Sequence, residues 1–179
     1  VNASRVHRAH EIVRDELLYA YLPPSLRNEM TIRAYSLGAG YADERYNRER
    51  DLFSWELGLL DAEGFPKAGR VLVAAAGGGR EMVALGKRGY SVIGLEPSPA
   101  LLRRAEELVC EVPGASVHSA TYADFVALAR GQQGVLSGLD LSADVVWFGW
   151  GSFTHLTDPA EQLEILKAVR QLWSSAPVV

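Results

Sequence analysis

The stretch Val71-Leu-Val-Ala-Ala-Ala-Gly-Gly-Gly-Arg-Glu81 decides the fold of this chain. An apolar run rich in valine and alanine is typical of a buried strand, and Met82, Val83 and Leu85 then begin a helix after the glycines. Glycine at a strand-to-helix turn lets the backbone approach a ligand where a Cβ atom would collide. The stretch therefore predicts a strand, a ligand-binding turn and a helix.

A second short apolar run, Ser91–Leu95, is followed directly by Glu96. In a parallel sheet this side chain would lie at the carboxyl end of the neighbouring strand, where ligands bind. A carboxylate at that place can accept hydrogen bonds from ribose hydroxyls. Together the two runs predict a site for a ligand that contains a nucleoside.

The spacing of the glycines argues against a dinucleotide. The G-x-G-x-x-G/A pattern of dinucleotide sites needs a small third residue, so that helix and strand pack closely. Counted from Gly77 and Gly79 the third position is Met82, and counted from Ala75 and Gly77 it is Arg80. A nicotinamide-dependent oxidoreductase with an atypical glycine loop stays open as an alternative.

At these positions the chain resembles the class I S-adenosylmethionine-dependent methyltransferases, whose first motif is a strand, E/D-x-G-x-G-x-G and a helix. The matching positions are Val73, Ala75, Gly77 and Gly79, with Glu96 after the second strand. Val73 stands where an acidic residue is usual, and the missing carboxylate would weaken the hold on the methionine ammonium. Ala75 replaces the first glycine, which is a small change only if its φ is negative.

The resemblance continues through the next strand and helix. Gly94–Ala105 matches the family's second strand and the helix after it, and Ser98 is predicted to cap that helix with Pro99 at its first position. The resemblance implies that the cofactor is bound by residues from all four strand ends. These are Ala75, Ala76, Gly77, Gly79, Glu96, Pro97, Thr121, Tyr122, Phe148 and Gly149.

The segment Ala115–Phe125 falls where the family places its adenine contacts. An aspartate usually follows this strand, and the matching position here is Thr121 or its neighbour, with Tyr122 able to flank the ring. Thr121 has an equally weighted local interpretation as the N-cap of a helix, with Asp124 stabilising the helix start. The two interpretations are compatible.

The segment Asp144–Asp158 resembles the family's fourth strand and the loop after it, which lies beside the sulfonium and the acceptor pocket. The resemblance implies acceptor contacts from Trp150, Ser152 and His155. His155 is the ionisable candidate for a general base in this loop, because histidine titrates near neutrality. A hydrogen-bonded loop histidine is the more common role, and methyl transfer often needs no protein base because proximity and orientation drive it.

The charged segment Tyr41–Arg50 has two interpretations. Tyr46 or Arg45 would cover the cofactor and pair with its carboxylate. Alternatively, and more in keeping with its composition, the segment is a solvated helix face with charge pairs such as Glu44–Arg48.

Composition limits the class of protein. The 179 residues carry a net charge of −4, which argues against a dedicated nucleic-acid binder, and 48% are hydrophobic, as in a globular domain. The single cysteine, Cys110, excludes an internal disulfide and fits a reducing compartment. We expect no metal site, no membrane association and a cytoplasmic location. The oligomeric state stays open.

Alternating patterns predict an α/β fold with a doubly wound, mostly parallel sheet and helices on both faces. Strands are predicted at 70–75, 91–95, 115–118 and 144–149, and helices at 79–88, 98–110, 122–130 and 159–173. Helices at 4–20 and 43–60 would form an N-terminal helical cap over residues 1–62, before a cofactor-binding core at 63–179. Ala176–Val179 resembles the start of a fifth strand, so that the family's C-terminal strands are expected to be missing.

The family resemblance implies a methyltransferase that uses S-adenosylmethionine, and we expect it to act on a small-molecule acceptor. A methyltransferase-like domain that binds without turnover is a further alternative, because the first motif lacks its carboxylate.

Overall fold

The computed structural model describes residues 21–37 and 40–179. The predicted helix at 4–20 lies outside them. The helices are α1 (Pro24–Leu37), α2 (Glu44–Glu49), α3 (Ser54–Asp61), α4 (Arg80–Gly86), α5 (Pro99–Val109), α6 (Tyr122–Ala129) and α7 (Pro159–Leu172). The strands are β1 (Arg70–Ala74), β2 (Ser91–Leu95), β3 (Ser116–His118) and β4 (Val145–Phe148), and a 3₁₀ turn spans Ser152–His155.

The strands form one parallel sheet in the order β3-β2-β1-β4. The order reverses at β1, because β2 and β3 lie on one side of it and β4 lies on the other. Open α/β sheets bind ligands in the crevice at such a reversal. The predicted fold class is confirmed, and its crevice lies where the glycine loop leaves β1.

The C-terminal residues begin a fifth strand beside β4, as predicted. The Val146 N–H donates to the Pro177 carbonyl at 3.0 Å, and the Phe148 N–H donates to the Val179 carbonyl at 2.7 Å. Val146 and Val178 form a parallel bridge.

Alternation along β1 divides the core into two layers, because successive side chains of a strand point to opposite faces. Leu72 and Ala74 pack in the layer that includes residues of α6 and α7. Val71 and Val73 pack in the layer that includes residues of α3 and α4. Val73 is fully buried, so its side chain is committed to the core. The predicted arrangement of helices on both faces follows from this period of two.

The N-terminal part differs from the sequence prediction. The predicted helix at 43–60 is two helices, α2 and α3, separated by extended residues. Asp51 favours the break because its carboxylate accepts from the Leu52 N–H at 2.7 Å, a local bond that competes with the helix. Helix α1 was not predicted, since its sequence has no apolar stripe. The signal available for it was Pro24 at its first position, a place that proline favours.

In the core the observed bounds lie close to the predicted ones. One local prediction is wrong: the Ser98 side chain stands at the N-cap of α5 but makes no capping bond. Its hydroxyl instead pairs with the Ser36 hydroxyl at 2.8 Å, because α1 lies against this corner. The division of the chain at residue 62 stays a prediction.

Candidate functional site

A large cavity of about 960 Å³ opens at the carboxyl ends of the strands. Its size is within the range of small-molecule sites, roughly 300–1,000 Å³. Ten of the residues predicted to form the site line it: Ala75, Ala76, Gly77, Glu96, Pro97, Thr121, Tyr122, Trp150, Ser152 and His155. The structure thus brings together residues from all four strand ends.

The glycine loop presents bare backbone to the cavity. Gly77 has a φ of 58°, and a Cβ atom built on it would meet nothing within 4 Å. Gly78 differs, because a Cβ atom there would lie 2.5 Å from the Asn47 side chain of α2. The space over Gly77 is therefore open to a ligand, while the space over Gly78 is filled by the N-terminal part of the chain.

Ala75 has a φ of 56°, in the left-handed region that favours glycine. The sequence expectation that alanine is a small change here required a negative φ, and that condition fails. The cost of this conformation for an L-residue is about 1–2 kcal/mol. The first position of the loop is therefore strained.

Glu96 is buried beside the loop, with only 4% of its surface exposed. Its carboxylate accepts from the N–H of Gly77 and the N–H of Ser98, each at 2.8 Å. Burial raises the pKa of this carboxyl, and the two backbone N–H groups counteract that rise. Each carboxylate oxygen has further acceptor capacity beyond one such bond.

Tyr122 lies on the β3 side of the cavity and donates or accepts a hydrogen bond with the Ser152 hydroxyl at 2.6 Å. Burial raises the pKa of the phenol, so the ring stays neutral. Thr121 also has the local role considered above, because the Asp124 carboxylate accepts from its N–H and from its hydroxyl, both at 2.7 Å. Thr121 therefore both begins α6 and lines the cavity.

Three predicted site residues do not line the cavity. Gly79 is the N-cap residue of α4 with a φ of 96°, and a Cβ atom there would lie 3.3 Å from the Ala105 backbone. A Cβ atom on Gly149 would lie 2.0 Å from the Ala75 carbonyl oxygen. Phe148 packs its ring 5.5 Å from that of Tyr122. Gly149 and Phe148 each contact a residue that does line the cavity, whereas Gly79 packs against α5.

The loop after β4 contributes Trp150, Ser152 and His155 to the cavity lining. Trp150 is 60% exposed, and its ring centroid lies 5.7 Å from that of Phe53. His155 Nε2 lies 2.6 Å from the Tyr35 hydroxyl of α1. Burial lowers the pKa of His155, so the imidazole is neutral at pH 7, and burial raises the pKa of Tyr35.

The charged segment before α3 agrees mainly with its local interpretation. Glu44 and Arg48 lie 3.2 Å apart, and Arg45 and Glu49 lie 2.9 Å apart, as i,i+4 pairs on exposed positions. Tyr46 does reach the cavity wall.

A buried ion cluster at the start of α4 was not predicted. Arg80 binds Glu56 of α3 through two bonds of 2.8 and 2.9 Å, and Glu81 at 2.7 Å. Arg80 and Glu81 also line the cavity. The sequence signal was weak because adjacent opposite charges are typical of an exposed helix start, and the partner Glu56 is distant in the chain.

Within residues 21–37 and 40–179, no group of His, Cys, Asp or Glu side chains is arranged to hold a metal ion. No helix in the same part of the chain is long and apolar enough to cross a membrane.

No family profile matches the sequence, and a search of curated proteins finds no match. Solved structures do match. The glycopeptide N-methyltransferase MtfA in complex with sinefungin is 25% identical, with a TM-score of 0.51 over 68% of this chain and 45% of its own. A SAM-dependent methyltransferase of Methanosarcina mazei is 23% identical, with a TM-score of 0.50 over 69% and 54%.

A protein of echinomycin biosynthesis, studied for the conversion of a disulfide bond into a thioacetal group, is 20% identical. Its TM-score is 0.53 over 72% of this chain and 47% of its own. The chain thus spans about half the length of the solved proteins it matches. With the parallel sheet, its reversal at β1 and the glycine loop, these likenesses show that the chain has the fold of the class I S-adenosylmethionine-dependent methyltransferases.

Proposed function

We propose that this chain binds S-adenosylmethionine and transfers its methyl group to a small-molecule acceptor. The observation that carries the proposal is the bare backbone of Gly77, open to the cavity and hydrogen-bonded to the buried carboxylate of Glu96. The likeness to MtfA with sinefungin and to the M. mazei methyltransferase supports it. We also propose that residues 1–62 form a cap and residues 63–179 the cofactor-binding core.

The residues around the cavity fit this cofactor. Glu96 has the burial and the spare acceptor capacity to bind ribose hydroxyls. A Cβ atom on Gly77 would fill space that the cofactor needs. Tyr122, which follows β3, offers a neutral aromatic ring to the cavity. When bound, the cofactor supplies a methyl group already activated by attachment to a sulfonium.

The remaining tasks of this chain are orientation and the exclusion of water, which supply much of the rate in such transfers. Trp150 and Ser152 lie on the wall where the acceptor would approach. His155 is neutral at pH 7 because burial lowers its pKa, so it can accept a proton from an acceptor that loses one. Its bond to Tyr35 fixes the ring.

Calorimetric titration tests the proposal with S-adenosylhomocysteine and NADH as ligands. We expect S-adenosylhomocysteine to bind and NADH not to bind. Glu96→Gln should weaken S-adenosylhomocysteine by about 1.5–3 kcal/mol, the range for hydrogen bonds to a charged group. Glu106→Gln, on the exposed face of α5, is the control and should leave the affinity unchanged. Binding of NADH alone would instead favour the oxidoreductase alternative.

Turnover is measured separately, as methyl transfer to a panel of small amine, hydroxyl and thiol acceptors. The assay is run on this chain and, where the natural protein continues past Val179, on the longer protein. Binding of S-adenosylhomocysteine without transfer by either would favour the non-catalytic alternative.

A further inference from the structure

The buried ion cluster at the start of α4 has more negative charge than positive. Arg80 carries one positive charge and contacts the two carboxylates of Glu56 and Glu81. The side chains of Arg80, Glu56 and Glu81 are 4%, 0% and 8% exposed, so water screens them little. Burial of an uncompensated charge is costly unless another group balances it.

Within the cluster, Glu56 makes more hydrogen bonds to Arg80 than Glu81 does. The guanidinium of Arg80 contacts Glu56 with both terminal nitrogens, in the fork geometry that makes such pairs strong. Glu81 accepts a hydrogen bond from one of those nitrogens at 2.7 Å and from the Trp150 N–H at 3.4 Å, in both cases through its Oε1. Its other oxygen, Oε2, accepts neither of these bonds. Burial raises the pKa of Glu81, and the positive charge of Arg80 counteracts that rise.

Glu81 also lines the cavity, and its place there relates to Glu96. Glu96 follows β2, whereas Glu81 accepts from the N–H of Trp150, two residues after the end of β4. Because β1 lies between β2 and β4, the glycine loop that leaves β1 separates the two carboxylates. Glu96, Gly77 and Glu81 line the same cavity, so a ligand with its ribose at Glu96 that extends over Gly77 would have its opposite end on the side of Glu81. In S-adenosylmethionine that end is the amino acid.

We propose that Glu81 binds the α-ammonium of the cofactor, whose positive charge completes the cluster of Arg80, Glu56 and Glu81. This inference rests on the proposed function. The ligand's cation gives the cluster two positive and two negative charges. Glu81 is then the residue that distinguishes ligands with an amino-acid end from simple nucleosides.

The test compares three ligands that share the adenosine half. S-Adenosylhomocysteine has the ammonium, S-adenosyl-4-thiobutyrate lacks only the ammonium, and 5′-methylthioadenosine lacks the amino-acid end. Calorimetry on Glu81→Gln should show about tenfold or greater weakening of S-adenosylhomocysteine, since a hydrogen bond to a charged group is lost. The affinity for the other two ligands should change by less than about twofold.

Glu96→Gln is the matched control, because it lies on the adenosine side and should weaken all three ligands alike. Equal weakening of all three by Glu81→Gln, or no weakening of any, would overturn the role of Glu81 while leaving the proposed function standing. Failure of the unsubstituted chain to bind any of the three would overturn both. If thermal unfolding shows that Glu81→Gln is not folded, Glu81→Asp replaces it in the same test. Aspartate keeps the negative charge, but its shorter side chain would not reach the ammonium.

Discussion

The two walls of the cavity are built in different ways. The wall at the glycine loop consists of backbone that leaves the buried strand β1. The Glu96 carboxylate accepts from the Gly77 N–H of that loop and from the Ser98 N–H after β2. The opposite wall is held by side-chain pairs between distant segments, such as Tyr35 with His155 and Asn28 with Glu161. The first wall is therefore rigid and suited to a constant cofactor. The second depends on a few polar contacts at a half-exposed surface, which is where we expect adaptation to an acceptor.

The largest expected effect comes from the ion pair that fixes the start of α4 behind the first wall. Glu56→Ala leaves the Arg80 guanidinium buried with its main partner gone, and such a loss costs about 3–5 kcal/mol of the free energy of unfolding. Urea denaturation measures it. Glu49→Ala is the control, because its pair with Arg45 is exposed and is worth under about 1 kcal/mol. Equal losses from the two substitutions would mean that the first wall is no more firmly held than the surface.

Gly77→Val tests whether the first wall meets a ligand. The valine side chain would enter the open space over the loop, and we expect S-adenosylhomocysteine affinity to fall by more than about tenfold, or 1.4 kcal/mol. Gly138→Val is the matched control: its φ is 84° and its surroundings are also open, but it is outside the cavity lining. Both variants should lose similar stability. Normal binding by Gly77→Val would make the loop only a turn.

Tyr35→Phe breaks the hydrogen bond that closes the second wall. Such a bond contributes about 0.5–1.5 kcal/mol to the free energy of unfolding. We expect that loss in urea denaturation, with the S-adenosylhomocysteine affinity unchanged. A large loss of affinity would contradict the division of tasks between the walls.

The pH dependence of the free energy of unfolding tests how far His155 is buried in the second wall. Burial lowers the folded-state pKa of His155 below its ordinary value, so the unfolded chain binds the proton more tightly. The contribution of His155 is therefore present above about pH 6.5 and is lost as the pH falls through the folded pKa. The stability difference between the unsubstituted chain and His155→Gln should shrink on acidification. A difference that does not depend on pH would show that His155 is as solvated as in the unfolded chain.

The smallest effect is expected at Ala75, where the first wall is strained. Ala75→Gly removes the left-handed strain of about 1–2 kcal/mol but adds the backbone entropy of glycine, about 0.5–1 kcal/mol, so a gain of about 0.5 kcal/mol remains. Thermal unfolding measures it. Ala127→Gly, inside α6, is the control and should destabilise by about 1 kcal/mol. Destabilisation by both would mean that Ala75 makes contacts worth more than its strain.

The sequence by itself determined the parallel sheet, the glycine loop and the position of Glu96. These follow from apolar runs and turn residues that act within a few positions of one another. Only the tertiary structure decided the second wall and the ion cluster, because α1 has no apolar stripe and Glu56 meets Arg80 only after α3 folds onto α4. It also decided which predicted residues face the cavity: Gly149 supports the Ala75 backbone, whereas Gly77 is open. Local patterns specify elements, but which side chains meet across a crevice depends on how those elements pack.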